Sequence, residues 1–221
     1  MAGEYLVIGL GQFGFAVARE LAERGAEVVA IDKDEGPVNR IAPFVTRALI
    51  MDATDEDCIV ALDPSGMDAV VCGVGEDSAD ASILVTTLLK EHGARHLVTR
   101  EIGSLHARVL RKVGADVLVN PEAELAKNVA QRLLLPSMDY LYDLGDGLVM
   151  AEIPSPAPFW GKRVGELELQ ERFRVTLVGI RPEPEGAKLH KPLPNQEITE
   201  NSHLLVVGSD SDLSFLARGS S

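Results

Sequence analysis

The chain has few cysteines, few aromatic residues and no long apolar run, and each shortage excludes a class of protein. The two cysteines among 221 residues, Cys58 and Cys72, lie in apolar surroundings without metal or redox spacing, which predicts reduced core residues of a cytosolic protein. No apolar run approaches the roughly 18–20 residues of a membrane span. The first residues lack a basic stretch followed by an apolar one, so we expect no secretory signal. Any membrane role then requires docking on a protein that spans the bilayer.

Basic residues are also scarce. The chain has 21 Lys and Arg but 34 Asp and Glu, which gives a net charge of −13. An acidic surface repels phosphate backbones, so we expect no nucleic-acid partner. Backbone N–H groups can still hold one nucleotide locally. Aromatic residues make up only 5% of a chain that is 46% hydrophobic. The core is therefore expected to be aliphatic, as in parallel α/β sheets.

A glycine motif follows the first apolar run of strand character. Gly9, Gly11 and Gly14 form G-x-G-x-x-G, with Gln12 and Phe13 inside it, and a helical pattern begins at once. The first glycine permits a tight turn, the second lets a pyrophosphate approach the backbone, and the third lets the helix pack on the strand. The strand-to-helix context favours dinucleotide or adenine-nucleotide binding. The alternative is a purely structural glycine-rich turn.

A second strand ends in Asp32, about 20 residues after the motif, where an acid would accept hydrogen bonds from ribose hydroxyls. Its charge would repel the 2′-phosphate of NADP and so favours NAD-type or plain adenosine ligands. Lys33 would soften this repulsion. The alternative is that Asp32 is a turn residue at a strand end.

Short apolar strands alternate with helical patterns up to residue 120, which predicts a Rossmann-type, doubly wound parallel sheet of six strands. The predicted strands are 5–8, 27–32, 46–51, 69–72, 96–99 and 116–120. Thr54 is expected to cap the helix after the third strand. A ligand should lie over the carboxyl ends of the strands.

The residues that follow the third, fourth and fifth strands are therefore candidate nucleotide contacts. They are Asp52, Ala53, Thr54, Gly73, Val74, Gly75 and Arg100. Asp52 would accept from adenine N6, Gly73 would let adenosine lie against backbone, and Arg100 would offset phosphate charge. The alternatives are helix caps for the acid and the threonine, turns for the glycines, and a surface ion pair for the arginine.

Beyond residue 120 the pattern changes twice. Pro121 suits the first position of a helix, predicted to run to about residue 135, with Leu125, Val129 and Leu133 on one face. That face packs either on its own sheet or on a subunit or domain. From about residue 139, strands without regular crossover helices predict a smaller α+β domain. We therefore divide the chain into 1–120, 121–138 and 139–218.

Signs of catalysis are missing. The five histidines show no H-E-x-x-H or other metal-ligand spacing, and the chain has neither G-x-S-x-G nor GxxxxGK[ST]. We expect His92, His96 and His106, which fall near helix and strand ends, to be solvated or capping residues. A dehydrogenase would need an acid or base near the nicotinamide on a substrate domain, and the part after residue 139 is short for one. The sequence predicts a binding protein, with a small NAD-dependent oxidoreductase or its fragment as the alternative.

With these residues in place, the chain resembles the RCK (KTN, TrkA-N plus TrkA-C) family, the cytosolic gating subunits of Trk/Ktr-type bacterial potassium transporters. In the first part the resemblance lies in V-I-G-L-G-Q-F-G at 7–14, V-V-A-I-D at 28–32, D-A-T at 52–54 and V-N-P-E at 119–122. In the second part it lies in G-K-R-V-G-E-L at 161–167, V-G-I-R at 178–181 and S-H-L-L-V-V-G at 202–208.

The resemblance implies a homo-oligomer, a dimer or an octameric ring, docked on the inner face of the membrane on an embedded transporter subunit. It implies that ATP, ADP or NAD(H) binds at the glycine motif and that the helix from Pro121 makes dimer contacts. It implies a divalent cation, Mg²⁺ or Ca²⁺, at Glu122 in some members, although Glu122 also suits a helix's first turn. Some relatives bind cyclic di-AMP near the positions of Ile180 and Arg181.

One residue departs from the family pattern. Many relatives carry Arg at the position of Gln12, and that Arg meets the terminal phosphate of ATP. Glutamine keeps a donor but not the charge, which removes a contact of roughly 1.5–3 kcal/mol. A preference for ATP over ADP is therefore not expected unless Arg100 compensates.

Overall fold

The computed structural model describes residues 3–75, 78–134, 139–182 and 187–217. The chain forms two compact units, residues 1–123 and 124–221. The expected end of the linker helix at Pro136 and Ser137 lies outside the described residues, as does part of the predicted loop after residue 181. Among the described residues, no helix is both long enough and apolar enough to cross a bilayer.

The first unit alternates strands and helices as the sequence predicts. Its elements are β1 (Glu4–Ile8), α1 (Gln12–Glu23), β2 (Glu27–Asp32), α2 (Glu35–Ile41), β3 (Arg47–Ile50), α3 (Glu56–Leu62), β4 (Ala69–Cys72), α4 (Ala79–Glu91), β5 (Leu97–Arg100), α5 (Ser104–Lys112) and β6 (Val117–Val119). The described strands form a six-stranded parallel sheet in the order β3-β2-β1-β4-β5-β6. This confirms the predicted Rossmann-type architecture, whose strand order reverses between β1 and β4.

Both faces of this sheet are covered, which explains its continuously apolar strands. Along β1, Leu6 and Ile8 belong to one buried cluster, while Val7 belongs to another on the opposite face. Successive side chains of a strand point to opposite faces, so every position must be apolar when helices cover both. Burying each such side chain contributes about 1.5–3 kcal/mol. The predicted aliphatic core is therefore confirmed for this unit.

Two local expectations are wrong. The residue that caps α3 is Asp55, whose carboxylate accepts from the N–H of Asp57, whereas Thr54 instead bonds back to Asp52. Cys72 is buried, but Cys58 is only partly buried because it lies on the amphipathic α3. Burial raises the pKa of the Cys72 thiol to about 11, so this cysteine stays protonated at neutral pH.

The linker helix α6 (Pro121–Leu134) leads to the second unit. That unit contains β7 (Asp139–Gly145), β8 (Leu148–Pro154), α7 (Leu169–Phe173), β9 (Thr176–Arg181), β10 (His203–Ser209) and α8 (Asp210–Ala217). The described strands form an antiparallel four-stranded sheet in the order β7-β8-β10-β9. This confirms the smaller α+β domain, although the sequence pattern missed β7.

One face of the second sheet packs on a core of its own. Burial alternates along β10, with Leu204 and Val206 fully buried and their neighbours partly exposed. Phe159 and Phe173 meet edge to face inside this core, with ring centroids 5.6 Å apart. Period-two burial is expected of an antiparallel sheet covered on one side.

Candidate nucleotide-binding site

A cavity of about 960 Å³ opens at the carboxyl ends of β1 to β4. Most of the candidate residues line it: Gly9, Gly11, Gln12, Asp32, Lys33, Asp52, Ala53, Thr54, Gly73, Val74 and Gly75. They come from four separate loops, which the parallel strands bring to one edge of the sheet. The volume is near the upper end of small-molecule sites, roughly 300–1,000 Å³.

Three glycines make the close packing under this cavity possible. Gly9 has a φ of +83°, and a Cβ on Gly14 would lie 1.9 Å from the carbonyl oxygen of Gly9. A Cβ on Gly73 would lie 2.9 Å from the same oxygen. The β1–α1 turn, the start of α1 and the end of β4 therefore meet through backbone alone, and a side chain at either contact would push them apart.

The amino end of α1 is left open toward a ligand. Its N-cap residue, Gly11, offers no side-chain hydrogen bond, and the first turn contains no acidic residue. By contrast α3 is capped by Asp55, and α4 by Ser78, which accepts from the N–H of Ala81 at 3.3 Å. The uncapped N–H groups of α1 and the positive end of its dipole suit an anion such as a phosphate.

Asp32 joins the end of β2 to the glycine loop. One carboxylate oxygen accepts from the N–H of Leu10 at 2.6 Å, and the other from the N–H of Asp34 at 2.9 Å. A carboxylate offers about four acceptor positions, so these bonds leave room for ribose hydroxyls. The side chain thus fixes the loop and lines the cavity. Asp32 can therefore be a turn residue at the end of a strand and still accept hydrogen bonds from a ribose.

Asp52 is likewise held by its own turn. Its Oδ1 accepts from the backbone N–H of Thr54 at 3.0 Å and from the Thr54 hydroxyl at 2.7 Å. The Thr54 N–H is the largest cause that lowers the pKa of Asp52, and the hydroxyl and Lys33 lower it further. Asp52 is therefore ionised at neutral pH and acts only as an acceptor.

Three candidates are not among the cavity-lining residues. Phe13 packs against the core on one face of the sheet. Gly14 lies beneath the loop. Arg100 is buried and donates from Nη2 to Glu122 at 2.5 Å, so the structure places it in an ion pair. The alternative prediction for Arg100 was a surface ion pair. The pair is present, but only Glu122 is exposed, whereas the arginine is buried.

Other lining residues were not singled out from the sequence. They include Leu10, Phe15, Asp34, Pro37, Arg40, Ser78, Ala81 and Val85. Pro37 and Arg40 could have been predicted from their position in the chain. They lie three residues apart on the helix that follows Asp32. Ser78 and Ala81 open the helix after Gly75 in the same way, since helices that follow parallel strands start at the ligand edge.

His106 corrects the expectation of solvated or capping histidines. It is buried beside the cavity wall, where its Nδ1 accepts from the N–H of Ile102 at 3.3 Å. Burial is the main cause that lowers its pKa, while the charge of Glu101 opposes the shift. His106 is therefore neutral at physiological pH and packs as part of the core.

The groups that line the site are hydrogen-bond donors, acceptors and apolar side chains. In the described part of the chain, no three His, Cys, Asp or Glu residues are grouped to hold a metal ion. Glu122 contacts Arg100 instead, so its role as a cation ligand stays a prediction. The cavity offers backbone N–H groups, the carboxylates of Asp32, Asp34 and Asp52 and an apolar wall, and an adenine nucleotide needs groups of these kinds.

Family comparisons agree with both units. Residues 5–121 match the TrkA-N domain and residues 148–218 the TrkA-C domain. The chain belongs to the TrkA-N/TrkA-C (RCK) family. Among curated members, it is 34% identical to Ktr system potassium uptake protein C of Bacillus subtilis, over 97% of this chain and 96% of that protein. It is 33% identical to Ktr system potassium uptake protein A of Vibrio alginolyticus, over 95% and 94%.

Solved RCK structures share the fold. The GsuK RCK domain superimposes with a TM-score of 0.62 at 19% identity, covering 98% of this chain and 48% of that one. The GsuK channel bound to NAD gives 0.63 at 19% identity, over 98% and 40%. The AMP-bound Kef CTD of Shewanella denitrificans gives 0.52 at 20% identity, over 60% and 80%. At these identities the likeness establishes the fold alone.

Proposed function

We propose that this RCK-family chain is a regulatory subunit of a potassium uptake system that senses an adenine nucleotide and controls a membrane-embedded pore. The observation that carries the proposal is the open amino end of α1 beside Asp32, in a cavity large enough for a nucleotide. Relatives that are Ktr potassium uptake proteins and match nearly the whole chain support the transport role. The subunit then acts at the cytoplasmic face without being an enzyme.

Regulation requires that the nucleotide bind two arrangements of the subunits unequally. A difference of about 1.4 kcal/mol in binding free energy shifts the equilibrium between closed and open arrangements tenfold. The nucleotide leaves unchanged, so no acid, base or metal is needed at the cavity. Steady turnover of NADH with an added carbonyl substrate would instead support the oxidoreductase alternative.

Oligomerisation is the second part of the proposal, and the surface of α6 supports it. Leu125, Val129 and Leu133 lie on one face of this helix and are 64%, 47% and 77% exposed. Three large apolar side chains at helical spacing on an open face are typical of a subunit contact. We propose that α6 packs on a second copy of the chain, within a dimer or a larger ring.

Two ligands implied by the family stay predictions. The divalent cation at Glu122 would have to compete with Arg100. Cyclic di-AMP near Ile180 and Arg181 would meet a fully buried isoleucine and a guanidinium that already donates to Glu152 and to the carbonyl of Ala187. Neither ligand is needed for the regulatory role proposed for the cavity.

The proposal is tested by substituting Asp32 with alanine and measuring ATP, ADP and NADH affinity by calorimetry. We expect affinity for all three to fall by about 1.5–3 kcal/mol, because ribose loses an acceptor and Leu10 N–H loses its partner. Asp68→Ala is the matched control: its carboxylate accepts from Glu4 N–H at 2.9 Å, at the opposite end of the sheet. Unchanged affinity in Asp32→Ala for all three nucleotides would remove Asp32 from the site.

A further inference from the structure

A second, smaller cavity lies at the β3 edge of the first sheet, and we call it the edge groove. It has a volume of about 170 Å³, and the residues that line it include Val29, Arg47, Leu49, Met51, Leu62 and Met67. Because β3 is the last strand of the sheet and α3 leads from it toward β4, α3 packs over the inner strands. Leu49 and Met51 are consequently only partly buried.

Arg47 is the charged residue of the edge groove, and it lies exposed at the start of β3. Every other side chain that lines the groove is apolar. Within the described residues Arg47 forms no ion pair, whereas Arg19 and Arg24 on α1 pair with glutamates at 2.7 and 2.6 Å. A guanidinium stays charged and holds a carboxylate through two parallel hydrogen bonds. An anion whose other end is apolar therefore suits this groove.

The volume of the edge groove limits the size of its ligand. An apolar cavity of roughly 150 Å³ holds one benzene molecule, and the groove is only slightly larger. The nucleotide cavity is far larger, at about 960 Å³, so a nucleotide does not fit the groove. Met51 and Met67 form part of its wall, and their flexible thioethers adapt to the shape of a ring. The ligand class that fits is a small monocarboxylate with one compact apolar group, such as benzoate.

Met51 connects the edge groove to the nucleotide cavity, because its side chain lines both. Its backbone N–H donates to the carbonyl oxygen of Asp32 at 2.9 Å, and Asp52 follows it in the chain. Both aspartates line the nucleotide cavity. A side chain that forms a wall of two cavities must take a position that suits both ligands. Binding in one cavity therefore changes affinity in the other, and the effect is reciprocal.

We propose that the edge groove is a second ligand site, which takes a small carboxylate with an apolar ring or chain and modulates nucleotide binding through Met51. Arg47 binds the carboxylate, and Leu49 and Met67 contact the apolar part. A ligand in the groove holds Met51 in one position, so the nucleotide loses less conformational entropy when it binds. The modulation rests on the proposed nucleotide site, whereas binding in the groove does not.

The first test is NMR of the full chain, labelled at its methionine methyl groups and titrated with benzoate in the absence of nucleotide. We expect the Met51 and Met67 signals to shift and saturate, while Met150, on β8 of the second unit, stays unchanged as the internal control. Benzamide has the same ring without the charge and should bind about tenfold more weakly. A benzamide affinity equal to that of benzoate would contradict recognition of a carboxylate.

Two outcomes of this titration overturn the groove as a ligand site. One is the absence of a saturable shift at Met51 and Met67, or an equal shift at Met150. The other is a Met67 signal that follows protein concentration instead of benzoate, which would assign the groove to a contact between subunits.

Arg47→Gln removes the charge from the edge groove. We expect benzoate affinity to fall about tenfold, with a methionine spectrum that otherwise matches the parent and so shows a folded variant. Arg108→Gln, at an exposed position of α5 that does not line the groove, is the matched control. Equal benzoate affinity in Arg47→Gln and the parent would remove Arg47 from the site.

Calorimetry with ADP, with and without saturating benzoate, measures the modulation. We expect benzoate to raise ADP affinity about threefold, and ADP to raise benzoate affinity by the same factor. Met51→Ala should abolish this factor, whereas Met51→Leu should keep it, because leucine still forms a wall of both cavities. Equal ADP affinity with and without benzoate would overturn the modulation alone. Failure of ADP to bind at all would instead overturn the proposed function and leave the groove as a site.

Discussion

The two units of this chain bury their sheets differently, and the difference places the ligand site. In the first unit all strands are parallel, so their carboxyl ends and the amino ends of the following helices meet at one edge and enclose the cavity. In the second unit the strands are antiparallel, and successive ends point in opposite directions. In a parallel sheet the loops that follow the strands lie together at one edge, where they can contact a ligand. An antiparallel sheet has its loops at both ends and buries one face.

The two units also differ in which member of a charge pair is buried. Arg100 of the first unit has a side chain only 5% exposed and reaches out to Glu122, which is 64% exposed. In the second unit the acid is the buried member, because Glu152 is 7% exposed and Arg181 is 25% exposed. The first pair joins a strand end to a helix start, while the second spans β10, because Glu152 lies on β8 and Arg181 on β9. We expect the second to serve stability and the first to serve the geometry near the site.

The substitution with the largest expected effect is at Gly14, where the first turn of α1 packs on the backbone of the β1–α1 turn. Gly14→Ala would place a Cβ 1.9 Å from the Gly9 carbonyl oxygen, so α1 must move away from β1. We expect a loss of about 3 kcal/mol or more in the free energy of unfolding and loss of nucleotide binding. Urea unfolding and calorimetry measure the two effects.

The control for that substitution is Gly36→Ala in α2, where an added Cβ meets nothing within 4 Å. Alanine favours a helix over glycine, so this variant should be no less stable than the parent, within about 1 kcal/mol. If Gly14→Ala keeps both stability and nucleotide affinity, close backbone packing is not what shapes the cavity, and the contrast between the units fails.

The next effect concerns the charge pair of the antiparallel unit. Glu152→Ala leaves the guanidinium of Arg181 without two hydrogen bonds, of 2.7 and 3.3 Å. Removing one partner of a buried pair costs about 3–5 kcal/mol, and we expect about 2 kcal/mol here because Arg181 is a quarter exposed. Nucleotide affinity should not change, since the cavity belongs to the other unit.

Glu23→Ala is the matched control, because this glutamate pairs with Arg19 at 2.7 Å on the exposed surface of α1. Such pairs contribute about 0–1 kcal/mol. Denaturant midpoints of the two variants decide the comparison. Equal losses of stability would mean that burial adds nothing to the Glu152 pair.

A smaller, pH-dependent effect is expected at Asp116 in the first unit. Its carboxylate accepts from the N–H of Leu97 at 2.7 Å, the largest cause that lowers its pKa, and from Lys90. A lowered folded-state pKa contributes stability above the unfolded pKa, about 3.9, and that contribution is lost as pH falls through the folded value.

Asp116→Asn should therefore be less stable than the parent by about 1 kcal/mol or less at pH 7, since the side chain is about a third exposed. The difference should shrink when the pH is lowered below the ordinary carboxyl range. Thermal unfolding of both proteins across the pH series measures it. A difference that stays constant with pH would contradict a role for the charge.

The smallest effect on folding is expected on α6. Leu125→Glu together with Val129→Glu replaces two exposed apolar side chains, so the free energy of unfolding of one subunit should change by about 0.5 kcal/mol or less. The subunit count should fall, because the charges would face a second copy of the helix. Light scattering with size exclusion measures the count, and nucleotide affinity is the internal control. An unchanged assembly would exclude this face as the subunit contact.

Much of the first unit could be predicted from sequence because its signals are local. Continuous apolar runs and the glycine motif each depend on residues close together in the chain, and Asp32 follows from the spacing of the motif. Asp52 and Gly73 were predicted to lie near the ligand because residues that follow parallel strands lie at the ligand edge of the sheet. Arg40 and Ala81 were missed because no local pattern shows which helical turn faces a cavity. The strand β7 was missed because its alternation is weak and it lies at a sheet edge.

The sequence by itself determined the kind of fold, its division into two parts, the glycine loop and the acid that belongs to it, because periodicity and spacing fix backbone conformation locally. Tertiary structure alone decided that Arg100 pairs with Glu122, that His106 is buried, and that residues from four separate loops line one cavity. These outcomes depend on which distant elements meet across the sheet, and the direction of a side chain there is set by its neighbours in space.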